Sequence, residues 1–288
     1  VKDRWIITIK GIDVKTGKLE LFDQLSGFTG EDLITAMPLV ADRIIRIAKG
    51  EKLEKFDAKN GLVHDNTKEM PAAGLILYLP MDSNAKDDSP SKNNGTAIGM
   101  SLTGDRFGRD RKAYHFKKQI AYISLSQKKS SPESFSIAAW IKTDSTSGGR
   151  IAGFSDRPEG MSDFRDKQLY MHSSGRIYFG VLSSKQEPVT ITSGQTYNDG
   201  EWHFVVGSFS NGILSLYIDG ETVAASKRTT VPFAREGYWR VGYDIMNGWP
   251  GEPSAYTLDG DIDDLRIYSR GLSESEMHLL YHQNGFGK

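Results

Sequence analysis

YNDGEWHFVVGSFSNGILSLYIDGETV, residues 197–223, decides the fold. Near its end, Leu214 to Ile218 alternate in character before Asp219-Gly220 and Glu221. Asp-Gly between alternating strands supplies the positive φ angles of a type I′ turn, so this stretch reads as a β-hairpin. Upstream, Trp202, Phe204 and Val206 alternate with His203, Val205 and Gly207. That two-residue period lets a strand place one row of side chains in a core. Phe135, Ile137 and Ala139 alternate in the same way with Ser136, Ala138 and Trp140.

Outward from this hairpin, the same texture repeats in both directions. Strands are predicted over 75–79, 112–116, 121–125, 134–142, 150–154, 168–172, 176–181, 190–192, 202–209, 213–218, 222–225, 238–243 and 260–268. About a dozen short strands with turn residues between them describe a sandwich or barrel and not βαβ units. The pattern changes only at the end. Ser273 and Glu276 form a capping box, and Leu272 with Met277 a hydrophobic staple, which predicts a short helix from Glu274 to His282.

Residues 1–50 read differently. Trp5–Lys10 and Lys18–Phe22 read as strands about a turn at 13–17. Leu33, Met37, Val40, Ala41, Ile44, Ile45 and Ala48 then recur at helical spacing. A helix beginning at Thr35 puts Pro38 in the first turn, where the missing N–H matters least, and Gly50 marks its end. One hairpin and one helix cannot bury a core alone, so this αβ element either docks on the larger domain or is a truncated one. Residues 51–73 are charged, with breakers at Asn60-Gly61 and Pro71, and read as a linker to a domain over 74–288.

Charge is balanced, with 36 basic and 37 acidic residues among 288, which gives no electrostatic footprint for nucleic acid. There is no cysteine, so disulfides, thiolate catalysis and cysteine metal sites are excluded. No apolar run approaches the ~20 residues of a membrane-spanning helix. The chain opens at Val1 without a leader, as a mature or trimmed form does.

Four segments in order resemble the laminin-G-like / concanavalin-A-like jelly-roll family: LYLPMDSNAKDDSPSKNNGTAIG from Leu77, SFSIAAWIKTD from Ser134, the hairpin segment from Tyr197, and LDGDIDDLRIYSRGLSESEMHLLY from Leu258. The resemblance spans about 74–281 and implies two antiparallel sheets packed face to face. Residues 1–50, through ITIKGIDVKTGKLEL, resemble the end of a bacterial envelope lipoprotein αβ domain. Together these imply a bacterial, extracytoplasmic setting.

The family resemblance also implies a structural calcium. Calcium takes roughly six to eight oxygen ligands. Asp87 and Asp263 are the best matches to the family pattern, with Asp82 and Asp264 beside them and backbone carbonyls near Asn94 and Gly95 completing the shell. The alternative is that these acids form turns and solvated loops, with Asp263-Asp264 pairing with Arg266 or capping backbone donors. Pro90 and Lys92 depart from the family's glycine-rich loop and make it stiffer and less negative.

For a ligand, the loop 244–256 is longer than a hairpin needs and carries Trp249 and Tyr256, with Asn247 between Tyr243 and Trp249 and with Trp239 before them. An apolar plane next to amide and carboxylate partners suits a sugar ring. The alternative is that Trp249 and Tyr256 pack under their own loop. A glucanase needs two facing carboxylates. GDIDDLRIY lacks both glutamates of an E-x-D-x-x-E strand, and His278 and His282 lack the Glu of H-E-x-x-H. The sequence therefore predicts non-catalytic recognition of a carbohydrate or glycoconjugate. A protein-interaction, adhesion or structural domain is the alternative, and a glycan-active enzyme a third.

Overall fold

The computed structural model describes residues 5–12, 19–28, 70–117, 120–226 and 229–282. The chain divides into two units, residues 1–70 and 71–288. In the first, β1 (Trp5–Ile12) and β2 (Leu19–Phe28) pair antiparallel as the sequence predicts, and β2 runs six residues past the predicted end at Phe22. The predicted helix from Thr35 to Gly50 lies outside the described residues.

The second unit is the sandwich. In chain order its strands are β3 (Leu75–Leu79), β4 (Gly95–Ile98), β5 (Met100–Thr103), β6 (Ala113–Phe116), β7 (Tyr122–Leu125), β8 (Lys129–Ser130), β9 (Phe135–Lys142), β10 (Gly149–Ser155) and β11 (Arg165–Met171). They continue with β12 (Arg176–Leu182), β13 (Pro188–Thr196), β14 (Trp202–Ser210), β15 (Ile213–Ile218), β16 (Glu221–Ala225), β17 (Glu236–Gly242) and β18 (Gly260–Tyr268). Sheet I has the order β13-β12-β11-β10-β17-β7-β4, with β8 also on β17. Sheet II has the order β16-β15-β14-β9-β18-β6-β5, with β3 also on β18. All these pairings are antiparallel, as expected of a jelly-roll sandwich.

The core is one continuous apolar layer between the sheets. Ile151, Phe154, Leu169, Phe179, Trp239 and Val241 enter it from sheet I. Phe135, Ile137, Val205, Phe209, Leu216, Ile262 and Ile267 enter it from sheet II. At Gly207 a Cβ would collide with the Phe179 ring from the opposite sheet, so only glycine permits that approach.

Three strands are absent from the sequence-based set: β4, β5 and β8. The first two are four residues each, with Gly99 between them at φ +76°. This glycine turns the chain from sheet I, where β4 pairs β7, to sheet II, where β5 pairs β6. Such a corner breaks the alternation that marks a longer strand.

The expected alternation of buried and solvent rows also changes. In β9 every residue from Phe135 to Ile141 is buried. The row that enters the sandwich is Phe135, Ile137, Ala139 and Ile141. The opposite row is covered by α1 (Glu274–Tyr281), whose Tyr281 stacks on Trp140 at 5.7 Å. The helix begins as predicted, with Ser273 accepting from the Glu276 N–H and Glu276 reaching back to the Ser273 N–H. Among the described residues, no helix is long and apolar enough to cross a membrane.

The hairpin turn also follows the prediction, with Asp219 at φ +50° and Gly220 at φ +96°. Asp219 does more than turn the chain. Its Oδ1 accepts the Phe204 N–H at 2.7 Å, and its Oδ2 lies 2.5 Å from His203 Nδ1. Asp199 meets Nε2 of the same ring at 3.0 Å. Burial opposes a charged imidazole, but the two carboxylates outweigh it and hold the His203 pKa above its ordinary value.

Candidate functional site

Each sheet has an outer face, and each outer face is covered. On sheet II, β18 carries a bulge between Asp263 and Arg266, with Asp264 at φ +51°. The bulge lets consecutive aspartates share one side, which a regular strand forbids. Arg106, from the β5–β6 loop, spans them: Nη1 lies 2.9 Å from Asp263 Oδ2 and Nη2 lies 2.7 Å from Asp264 Oδ2. The Arg106 guanidinium sits 4.7 Å from the Trp140 ring centre. Tyr78 donates its hydroxyl to Asp264 at 2.9 Å, and Arg266 Nη2 lies 3.4 Å from the same oxygen. Burial penalises the Asp264 charge, but Arg266 and Arg106 outweigh it and hold its pKa below the usual carboxylate value. Burial and the Asp264 charge push Asp263 upward.

The other two acids assigned to calcium lie elsewhere in function. Asp87 is 1% exposed and fully used by its own loop. Its Oδ1 accepts the N–H groups of Tyr78 and Ser89, and its Oδ2 accepts from Ser89 Oγ and the Asn93 N–H. Asp82 is exposed and pairs with Lys112 at 3.2 Å. Asn94 contributes its side chain, not a carbonyl, accepting the Asp87 N–H, and the Gly95 N–H is bonded to the Ala85 carbonyl. A calcium shell needs several oxygens converging on one point. Among the described residues no three acidic or histidine side chains do so. Asp82, Asp87, Asp263 and Asp264 therefore do not fit a calcium site as they stand, because lysine, arginine and backbone donors already engage them.

The outer face of sheet I is built on polar and aromatic rows. Arg150, Arg240 and Asp244 are completely buried. Asp244 Oδ2 lies 3.5 Å from Arg150 Nη1 and 3.3 Å from Arg240 Nη1, and it accepts from Ser155 Oγ at 2.7 Å. Arg240 also donates to the carbonyls of Gly160 and Tyr243, each at 2.8 Å. It thus ties the loops 156–164 and 243–257 to the sheet. Burial pushes Arg150 and Arg240 below the ordinary guanidinium value, while for Asp244 the two arginines outweigh burial and keep its pKa low.

Over this base lies an aromatic cluster of Phe164, Tyr170, Leu182, Met246 and Trp249, with Tyr178, Phe233 and Tyr256 packed at its margin. Tyr170 and Tyr178 stack at 5.3 Å, and Trp249 meets Tyr170 edge-on at 6.3 Å. Tyr170 donates its hydroxyl to the Pro250 carbonyl. Gly251, at φ +62°, lies so close to the Tyr178 ring that a Cβ would overlap it. Glu252, the next residue, accepts the Tyr256 hydroxyl at 3.0 Å. Tyr178 and Tyr256, both half-buried, thus approach adjacent residues of one loop turn, Gly251 and Glu252. Asn247 is exposed and accepts from Arg165 Nη2 at 3.2 Å.

The sequence-predicted ligand residues are thus divided. Tyr256 and Asn247 stand on the loop surface, and Tyr243 is half-buried at the loop's start. Trp249 packs under its own loop and is 5% exposed. Trp239 belongs to the sandwich core, edge-on to Phe154 at 5.1 Å, because β17 alternates Trp239 inward and Arg240 outward. Tyr178, which shares the Tyr256 margin, was missed. It lies within β12, and only the pairing of β12 with β11 brings it under the loop. Arg106 was missed as well, since it meets β18 across 157 residues of sequence.

The sequence model of a family described as the concanavalin A-like lectin/glucanases superfamily, of laminin G type, matches residues 118–278, more than half of the chain. The chain belongs to this superfamily. No curated protein matches it. Among solved structures, the binding domain of Paraclostridial Mosquitocidal Protein 1 is similar with a TM-score of 0.54 at 15% identity, over 73% of this chain and 52% of that one. The binding domain of Botulinum Neurotoxin DC in complex with SialylT is similar with a TM-score of 0.50 at 15% identity, over 73% of this chain and 51% of that one. This lectin-like chain spans about half the length of those structures, and at such identities the likeness is one of fold.

Proposed function

We propose that residues 71–288 act as a non-catalytic carbohydrate-binding module of an extracytoplasmic protein. The sugar ring would lie at the Tyr178–Tyr256 margin of sheet I. The observation that carries this reading is the loop turn at Gly251-Glu252, where the half-buried Tyr178 ring lies against Gly251 and the half-buried Tyr256 donates to Glu252, with Asn247 on the same loop bonded to Arg165. A pyranose offers an apolar C–H face and a rim of hydroxyls. Aromatic faces take the first, and carboxylate, amide and guanidinium groups take the second. The buried Arg240 bonds to the loop carbonyls hold this surface in place before a ligand arrives, which lowers the ordering cost of binding.

Support for a binding role, not a catalytic one, comes from the acids of β18. Asp261 is bonded to His115 at 2.7 Å, and Asp263 and Asp264 are held by arginine, so this strand does not present the facing carboxylate pair of a glucanase. The similar solved structures are themselves described as binding domains.

A glycan array followed by titration calorimetry tests the proposal. Tyr256→Ala and Tyr178→Ala should each weaken binding of the best array sugar about tenfold, equivalent to ~1.4 kcal/mol. Retention of no glycan by the wild-type chain, or unchanged affinity in both variants, overturns it.

A further inference from the structure

Arg106 lies between two of the four acids that the family resemblance assigned to a metal, Asp263 and Asp264. Its side chain has no exposed surface, and it reaches one oxygen of each aspartate of the β18 pair. Its position is fixed from its own loop. Asp105 accepts the N–H groups of Phe107 and Arg109 at 3.0 and 2.8 Å, which shapes the turn that delivers Arg106 inward. Aromatic rings flank the guanidinium, with Trp140 at 4.7 Å and Phe107 at 4.6 Å. Arg266, itself buried, supplies a second positive charge beside Asp264. Two guanidinium groups therefore face the two acids, and the pair leaves no net negative charge for a divalent ion to neutralise.

We propose that Arg106 is a built-in cation, closing the Asp263–Asp264 pair so that the sandwich folds without calcium at this position. Arginine suits the task because it stays protonated and presents planar, forked donors to two separate carboxylates. A calcium ion could bind here only by expelling Arg106 from between the acids, leaving a buried guanidinium with no anion.

Thermal melts of the whole chain in EDTA and in millimolar calcium provide the test. The wild-type midpoint should agree in the two conditions to within about a degree, since a ligand that binds the native state would raise it by mass action. Arg106→Met should lower the midpoint by several degrees, and Arg106→Met/Asp263→Asn should recover part of the loss, because one orphaned charge has been removed. A calcium-induced rise in the wild type that disappears in Asp263→Asn overturns the proposal. A rise retained in Asp263→Asn places the metal elsewhere and supports it. Arg106→Met melting with the wild type also overturns it. Should Arg106→Met fail to fold, recovery of folding in the double variant supports the proposal, and failure of both overturns it.

Discussion

The two outer faces of the sandwich are both covered and both use buried arginine, but they balance charge differently. On sheet II, Arg106 and Arg266 face Asp263 and Asp264, one acid for each base. On sheet I, Arg150 and Arg240 share Asp244, and further donors go to Gln168, Ser155, Ser162 and the carbonyls of Gly160 and Tyr243. The neutral acceptors matter because Ser162 and the two carbonyls belong to loops. On sheet II the cluster anchors the β5–β6 loop that carries Arg106 itself. A cluster completed by loop carbonyls also positions those loops, and the loops so positioned on sheet I carry the candidate binding surface.

The largest effect that would break this contrast is expected at Asp244. Asp244→Ala leaves two buried guanidinium groups without the carboxylate they share, and a loss of roughly 3–5 kcal/mol is expected in urea unfolding. A loss below about 1 kcal/mol would mean that neutral acceptors suffice and that the faces do not differ in this way. Next is the helix that covers sheet II. Ser273→Ala removes the capping hydroxyl and should cost about 1 kcal/mol by the same measurement, with glycan affinity unchanged.

The smallest effect is the pH response of the hairpin clamp. His203 has a raised pKa in the folded chain, so its stabilising contribution is complete below the unfolded value of about 6.5 and is lost as pH rises through the folded value. Asp199 is largely exposed, which limits its share through solvent screening. Melting midpoints from mildly acidic to mildly alkaline pH should converge for wild type and His203→Gln as pH rises. Parallel curves would show that the imidazole charge contributes nothing.

Features governed by local chemistry were legible in the sequence. Asp219-Gly220 demanded its turn, Ser273 and Glu276 their helix start, and Leu75–Leu79, Ile213–Ile218 and Gly260–Tyr268 occur with the predicted bounds. Features set by partners distant in sequence were not. The row of Ser136, Ala138 and Trp140 gives no sign in sequence of its cover, because Tyr281, which stacks on Trp140, and Leu272, whose N–H donates to Ser136, lie far along the chain. Asp263-Asp264 read as candidate ligands because the residue that claims them, Arg106, is remote and lies in an unremarkable loop. Asp87 likewise gives no sign in sequence that three donors of its own loop and the Tyr78 N–H of β3 will occupy both its oxygens. The candidate sugar surface was half legible: the long loop with Tyr256 and Asn247 announces itself, whereas Tyr178 joins it only through strand pairing.

One early detail of the fold bears on how such a unit can be carried. The first and last strands of the sandwich, β3 and β18, are antiparallel neighbours, and beyond their ends the Ser269 N–H meets the Gly74 carbonyl at 2.7 Å while Arg270 Nε meets that of Ala73 at 2.7 Å. Chain coming in and chain going out are thus side by side. Whatever carries this unit must keep α1 with it, because Met277 and Leu280 of the helix are buried and Tyr281 stacks on Trp140. The strands that open and close the sandwich pin one another, so its two ends loosen together.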